Sequence, residues 1–86
     1  MTIEFTKRFK KEMQRLEPAL QEKAQDRIRI FLLNSTESIL HNHILHGEYE
    51  GCRSININGD YRAIYWESPK EHATFLTIGT HAQLYE

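Results

Sequence analysis

The C-terminal half of the sequence contains four kinds of side chain that can take part in catalysis: histidine, aspartate, arginine and tyrosine. Asp60 and Arg62 follow an Asn58-Gly59 turn signal, and His81 and Tyr85 lie near the chain end. Cleavage of RNA by its own 2′-hydroxyl needs a base, an acid and a cation beside the phosphate. Histidine, carboxylate and arginine supply these functions, and tyrosine can stack on an unpaired base. Taken singly, each residue also has a structural explanation, as a turn residue, an ion pair or a core aromatic.

A metal site is the competing interpretation of the histidines. His41, His43 and His46 form an H-x-H-x-x-H pattern, with His81 far along the chain. The pattern lacks cysteine or a paired carboxylate and does not match a recognised zinc spacing. We therefore expect exposed loop histidines, no metal and no cofactor.

Two amphipathic helices are predicted in the first half of the chain. Thr2 to Phe5 is typical of a short strand, and Thr6 is a suitable N-cap for a helix from Lys7 to about Leu16. Pro18 suits the first turn of a second helix, which should end near Asn34-Ser35. The apolar positions keep a 3.6-residue period. They are Phe5, Phe9, Met13 and Leu16 in the first helix and Leu20, Ala24, Ile28, Phe31 and Leu32 in the second.

Residues 35–51 look irregular, and three strands follow. Ile55 and Ile57 alternate with polar residues, and Asn58-Gly59 favours a type I′ hairpin turn. Tyr61 to Glu67 forms the returning strand, and Ala73 to Ile78 the last one. The expected fold is α+β with the order βααβββ: a helical hairpin packed on a small antiparallel sheet, as one domain over residues 1–86.

Charge and composition exclude several classes of protein. The chain is 40% hydrophobic and 27% charged with a net charge of −1, so a positive surface must be local. Its single cysteine, Cys52, allows no internal disulfide, and no apolar run is long enough to cross a membrane. We expect a cytoplasmic protein without membrane contact. Five cations of the first helix form either a solvated face or a phosphate-contacting surface: Lys7, Arg8, Lys10, Lys11 and Arg15.

Three segments resemble the RelE/ParE toxin superfamily of bacterial type II toxin–antitoxin systems. Leu45 to Arg53 is similar to its L-x-G-x-x-x-G-x-R stretch, and Gly59 to Tyr65 to its G-x-Y-R-x-x-Y strand. Gly79 to Tyr85 resembles the G-T-H-x-x-L-[FY] ending of the YafQ branch, which is the most specific of the three. The resemblance covers nearly the whole chain.

The resemblance implies a ribosome-dependent mRNA interferase that cuts mRNA in the ribosomal A site and is silenced by a cognate antitoxin. His81 matches the catalytic histidine of the branch, which we assign as general acid. Asp60 and His43 match residues that serve as the base or orient the RNA, and Arg62 matches an arginine aimed at the scissile phosphate. Tyr85 matches a functional terminal aromatic, and we count Arg53 among the RNA-contacting residues. Operator DNA would be bound only through the antitoxin.

One active-site position departs from the branch. Asn56 stands where the YafQ branch has a histidine, and an amide cannot act as an acid or base. Two alternatives therefore stay open. One is a ParE-like inhibitor of DNA gyrase that does no chemistry, and the other is a degenerate toxin kept only for antitoxin binding.

Overall fold

A five-stranded mixed sheet, with two helices packed on one face, forms the framework of the protein. The computed structural model describes residues 1–85. The strand order in the sheet is β1-β5-β4-β3-β2. The elements are β1 (Thr2–Phe5), α1 (Lys7–Gln14), α2 (Pro18–Leu33), β2 (His43–Ile44), β3 (Arg53–Asn56), β4 (Tyr61–Ser68), β5 (His72–Thr80) and α3 (His81–Tyr85), with 3₁₀ turns at Ser38–Leu40 and Gly47–Tyr49.

The α+β class, the helical hairpin and the β3-β4-β5 meander are confirmed, but the expected antiparallel sheet is mixed. β1 pairs in parallel with β5, from Thr2 opposite His72 to Phe5 opposite Phe75. The meander leaves two open edges, and the chain returning from α2 occupies one of them with β2. The other edge remains for β1. The segment expected to be irregular thus contributes one short strand, and the C-terminal residues add a third helix that was not expected.

Helix α1 is fixed against β5, the strand that leads to the C-terminal residues. Thr6 caps the helix as predicted: its Oγ1 accepts a hydrogen bond from the Phe9 amide at 3.1 Å and donates one to the Leu76 carbonyl at 2.9 Å. Glu12 Oε1 accepts from Thr77 Oγ1 at 2.7 Å and from the Ile78 amide at 3.2 Å. These contacts satisfy polar groups of β5 beyond the end of β1, where β5 has no strand neighbour on that side.

The core between helices and sheet is built from aromatic side chains. Phe75 lies at its centre, with ring centroids 5.3 Å from Phe31, 5.2 Å from Tyr65 and 5.6 Å from Phe9. The buried residues of α2 are Ala24, Ile28 and Phe31, which agrees with the predicted period. Leu32 is 42% exposed, so its predicted place in the core is wrong. Consecutive helical residues are about 100° apart, and Leu32 therefore leaves the stripe that Phe31 belongs to.

A second, smaller apolar cluster lies on the opposite face of the sheet. Leu45, Cys52, Ile64 and Leu84 are its buried members. It attaches α3 and the segment before β3 to the strands, and burial raises the pKa of the Cys52 thiol. Among residues 1–85, no helix is both long and apolar enough for a membrane span.

Candidate active site

The turn between β3 and β4 differs from the predicted type I′ turn, which requires positive φ. Neither Asn58 nor Gly59 has a positive φ. Instead, the Asn58 side-chain oxygen accepts hydrogen bonds from the amides of Asp60 at 2.9 Å and Tyr61 at 2.7 Å. The strands close with the Ile57 amide on the Tyr61 carbonyl at 2.9 Å. The type I′ prediction is wrong because an asparagine can also form a side-chain-closed turn, and that alternative wins here.

A cleft of about 510 Å³ opens on the face of the sheet away from α1 and α2. Alternate residues of a strand point to opposite faces, so Tyr65 enters the helix-side core while Arg62 points into the cleft. Asn56 lies directly across from Arg62 on the neighbouring strand. The lining consists of His41, His43, Ile44, Leu45, His46, Asn56, Arg62, His81 and Tyr85. Four of the five histidines therefore share one cleft with one arginine.

Helix α3 holds His81 and Tyr85 in the cleft. Thr80 and Gln83 form a reciprocal capping box, with Thr80 N donating to Gln83 Oε1 at 2.8 Å and Gln83 N donating to Thr80 Oγ1 at 3.1 Å. One turn of helix brings the two rings side by side, with centroids 4.6 Å apart and ring planes tilted by 53°. Leu84 is buried and packs the helix against the sheet. The signal for this helix, Thr-x-x-Gln, was present in the sequence and was missed.

Arg62 is held in place by main-chain carbonyls. Its Nη1 donates to the carbonyls of Asn58 at 2.9 Å and Tyr61 at 3.1 Å, and its Nη2 donates to that of Gly59 at 3.3 Å. The guanidinium is therefore oriented by the β3–β4 turn before any ligand arrives.

His43 has a defined tautomer in the cleft. Its Nδ1 lies 2.8 Å from the carbonyl oxygen of His41. A carbonyl oxygen only accepts, so Nδ1 bears the proton and Nε2 of the neutral ring keeps a free lone pair. His41 itself adopts the left-handed conformation, at φ 46° and ψ 45°. The bent backbone there turns its carbonyl toward the ring of His43.

The loop that bears these histidines is tied down by Asn42. Its Nδ2 donates to the Ser35 carbonyl and to Tyr65 Oη, both at 2.8 Å, and its Oδ1 accepts from Arg53 Nε at 2.7 Å. Sequence reasoning missed Asn42, because these partners are distant in sequence and no local pattern marks them. In the same network, Arg53 lies on the side of the sheet where Tyr65 lies. Arg53 was predicted to contact RNA. Its RNA contact stays a prediction.

Asp60 reaches the site through its backbone. The His81 amide donates to the Asp60 carbonyl at 2.9 Å, so the turn and the start of α3 are joined. The Asp60 side chain is exposed and is not among the cleft-lining groups. Its predicted catalytic role stays a prediction.

The cations of α1 lie on the other side of the sheet from the cleft, and all five are exposed: Lys7, Arg8, Lys10, Lys11 and Arg15. Arg8 and Arg15 line a separate depression of about 380 Å³, together with Tyr61 and Gln83 next to α3. The α1 surface and the cleft thus flank α3 from two sides. Contact of these cations with RNA stays a prediction.

No group of three or more His, Cys, Asp or Glu side chains in residues 1–85 is arranged to hold a metal ion. The cleft instead offers an imidazole with a free Nε2, a second imidazole, an oriented guanidinium and an aromatic ring. This set suits proton transfer beside a phosphate.

Solved structures share this architecture over nearly the whole chain. YafQ from E. coli strain BL21(DE3) has a TM-score of 0.78 at 21% identity, covering 98% of this chain and 97% of that chain. The YoeB/ParE toxin from Agrobacterium tumefaciens has a TM-score of 0.76 at 20% identity, covering 94% and 99%. YafQ in the E. coli DinJ–YafQ complex has a TM-score of 0.72 at 24% identity, covering 98% and 97%.

The helical hairpin on one face of the sheet and the open cleft on the other define a RelE/ParE-like toxin fold. A family model described as "Bacterial toxin of type II toxin-antitoxin system, YafQ" matches residues 1–86. The chain belongs to this family and is a toxin of a type II toxin–antitoxin system. No match was found among curated proteins.

Proposed function

We propose that this toxin is a ribosome-dependent endoribonuclease that cuts mRNA in the ribosomal A site and so inhibits translation. The observation that carries the proposal is the convergence of His43, Arg62, His81 and Tyr85 in one cleft from three separate elements. Their side chains match the requirements of a reaction in which the RNA's own 2′-hydroxyl is the nucleophile.

The reaction begins with removal of the 2′-hydroxyl proton. His43 Nε2 has the free lone pair that a base needs, because Nδ1 is protonated toward the His41 carbonyl. The 2′ oxygen then forms a bond to phosphorus, and the bond to the 5′ oxygen breaks. The products are a 2′,3′-cyclic phosphate and a 5′-hydroxyl.

His81 supplies the proton to the departing 5′ oxygen, and Arg62 stabilises the negative charge on the phosphoryl oxygens. Tyr85, whose ring lies beside that of His81, presents its exposed ring to a base of the unpaired strand. A positioned acid and a positioned base each contribute about 10²- to 10⁴-fold in rate. No step requires a metal ion.

Asp60 remains the alternative base. It lies two residues before Arg62 in the chain, and its backbone carbonyl accepts a hydrogen bond from the His81 amide at the start of α3. Comparing His43→Ala with Asp60→Asn separates the two assignments, since only loss of the true base removes the acidic limb of the pH–rate profile.

The ribosome would deliver the mRNA and bind the toxin on the surface outside the cleft. The exposed cations of α1 lie outside the cleft, with Arg8 and Arg15 beside α3, where they can contact ribosomal RNA phosphates. A net charge of −1 makes this contact local rather than general. We place this activity in the cytoplasm, where ribosomes are.

A cognate antitoxin is the second partner in the proposal. E. coli YafQ was solved in complex with DinJ, and the M. tuberculosis RelBE2 structure is a toxin–antitoxin complex. An antitoxin that covers the open cleft would silence the toxin, and operator DNA would be reached through the antitoxin alone.

The test is a translation reaction with defined mRNA, with and without ribosomes, in which transcript 5′ ends are mapped. The wild-type chain should cut coding sequence only when ribosomes are present, and His81→Ala should abolish the cuts. His72→Ala is the matched control: His72 lies at the opposite end of β5, hydrogen-bonded to Thr2 and Glu4, and should leave cutting intact.

Intact transcripts with the wild-type chain would refute the nuclease. A gyrase supercoiling assay on the same protein would then separate a gyrase inhibitor from a degenerate toxin.

A further inference from the structure

The β3–β4 turn uses its main chain to hold two groups of the cleft at once. The carbonyls of Asn58 and Gly59 accept hydrogen bonds from Arg62. The next carbonyl, that of Asp60, accepts from the His81 amide. Three consecutive carbonyls therefore fix the arginine and the first residue of α3 relative to each other.

The donor count on Arg62 shows what this arrangement leaves available. A guanidinium has five N–H donors, and hydrogen bonds to Asn58, Tyr61 and Gly59 use three of them. The remaining two are the Nε–H and one Nη2–H. Nε and Nη2 lie along one edge of the planar group, and two parallel donors of this kind match two oxygens of a phosphate. The turn thus occupies the end of the guanidinium and leaves its side edge for the ligand.

The Asn58 side chain gives the turn its shape. Its Oδ1 accepts hydrogen bonds from the amides of Asp60 and Tyr61. The two peptide groups that contain these amides also contain the Gly59 and Asp60 carbonyls, which are therefore directed away from Oδ1, toward Arg62 and His81. Asn58 does not line the cleft and lies beside α2 instead. Its influence on the site therefore passes through the backbone.

We propose that Asn58 is a positioning residue that, through its side-chain-closed turn, sets Arg62 for bidentate phosphate binding and aligns His81 with it. The inference rests on the proposed nuclease function for its catalytic consequence. Its structural part concerns the free protein and is independent of RNA.

The first experiment measures Arg62 in the free toxin. The ¹⁵N order parameter of Arg62 Nε is compared in wild type, Asn58→Ala, Asn58→Asp and Asn34→Ala. Asn34 is a matched control, because its Oδ1 accepts from the Thr36 amide at 3.2 Å and hydroxyl at 3.0 Å, and neither residue lines the cleft or belongs to the β3–β4 turn. Wild type, Asn58→Asp and Asn34→Ala should show a rigid Nε, since an aspartate keeps the accepting oxygen. Asn58→Ala should show a mobile one.

Inorganic phosphate then serves as the binding probe. Adding it should shift the Arg62 Nε–H resonance in wild type and in Asn58→Asp, at a concentration several-fold lower than in Asn58→Ala. Equal phosphate dependence in all four proteins, or a mobile Arg62 in wild type, would overturn the proposal.

The second experiment measures ribosome-dependent cleavage. Asn58→Ala should lower the maximal rate about 10- to 100-fold, the scale expected when a reacting group is misplaced by about an ångström. The ribosome concentration at half-maximal rate should not change, because the α1 cations are untouched. Asn58→Asp should restore most of the rate, and a full rate in Asn58→Ala would refute the catalytic consequence. A wild-type chain that does not cleave would refute the proposed function instead, and the order parameters would then decide the structural part alone.

Discussion

Replacing Leu84 by alanine should release α3 from the sheet and remove His81 from the cleft. Leu84 is only 4% exposed and packs in the cluster with Leu45, Cys52 and Ile64. Hydrogen bonds also attach α3 to the sheet: one from the His81 amide to the Asp60 carbonyl, and the two of the Thr80–Gln83 capping box at the end of β5. Leu84 is the one buried residue of this five-residue helix, so its burial supplies the apolar part of the docking energy.

The magnitude follows from the size of the deleted group. Buried Leu→Ala changes cost about 2–5 kcal/mol, and the lower part of that range applies where neighbours can move into the space. A five-residue helix with one buried side chain can move in this way, so we expect about 2–3 kcal/mol, which is about a 30- to 140-fold larger undocked population.

Hydrogen exchange of the His81 amide measures this population, because that amide is protected by the Asp60 carbonyl. Exchange in Leu84→Ala should accelerate by about the factor given above, and ribosome-dependent cleavage should fall with it. Leu33→Ala deletes the same atoms at a residue that is 88% exposed, and should change neither quantity. If His81 exchange in Leu84→Ala stayed within about 5-fold of wild type, the burial of Leu84 would not be what docks α3.

Four further results are expected. Burial raises the pKa of Tyr65 above its ordinary value of 10.0. The protonated phenol therefore stabilises the fold fully below pH 10.0, and this stabilisation is lost as the pH rises toward the folded-state pKa. In urea unfolding, the free energy of unfolding should fall more steeply at alkaline pH in wild type than in Tyr65→Phe. Tyr65→Phe should also cost about 1 kcal/mol at neutral pH through the lost hydrogen bond from Asn42, and an unchanged midpoint would contradict that contact. Burial likewise raises the pKa of the Cys52 thiol, so iodoacetamide at pH 8 should modify it far more slowly in the folded protein than in urea; equal rates would show that the thiol is open to solvent. His41→Gly keeps the left-handed backbone and should preserve the Nδ1–H tautomer of His43 in ¹⁵N spectra, whereas His41→Val should lose that tautomer. The same tautomer in both variants would show that it does not depend on the backbone conformation of residue 41.

Local patterns predicted the starts of α1 and α2 correctly. Thr6 caps α1 through an amide three residues away, and Pro18 begins α2 because it needs no N–H there. The His81–Tyr85 pair is also local, since a four-residue separation places two rings on one helix face, but the helix itself was not predicted. Leu32 failed for a related reason: a period identifies a stripe, and a residue at its margin is buried only if a neighbour covers it.

The destinations of Arg53 and Asp60 could not be obtained from the sequence. Both lie in motifs that suggest function, yet Arg53 bonds to Asn42 and the Asp60 side chain stays outside the cleft lining. Their partners are set by strand direction and by the path of the loop before β2. Those depend on contacts that are far apart in the chain.

The sequence by itself determined the helical hairpin, the β3-β4-β5 meander and the residue types available for chemistry, because hydrophobic period, caps and turn residues act over a few positions. Only the tertiary structure decided that β1 pairs in parallel with β5, that four histidines meet Arg62 on one face, and that Asn58 closes its turn through a side chain. These outcomes follow from which sheet edge remains free and from competition between hydrogen-bond partners. Both become defined only when the whole chain is packed.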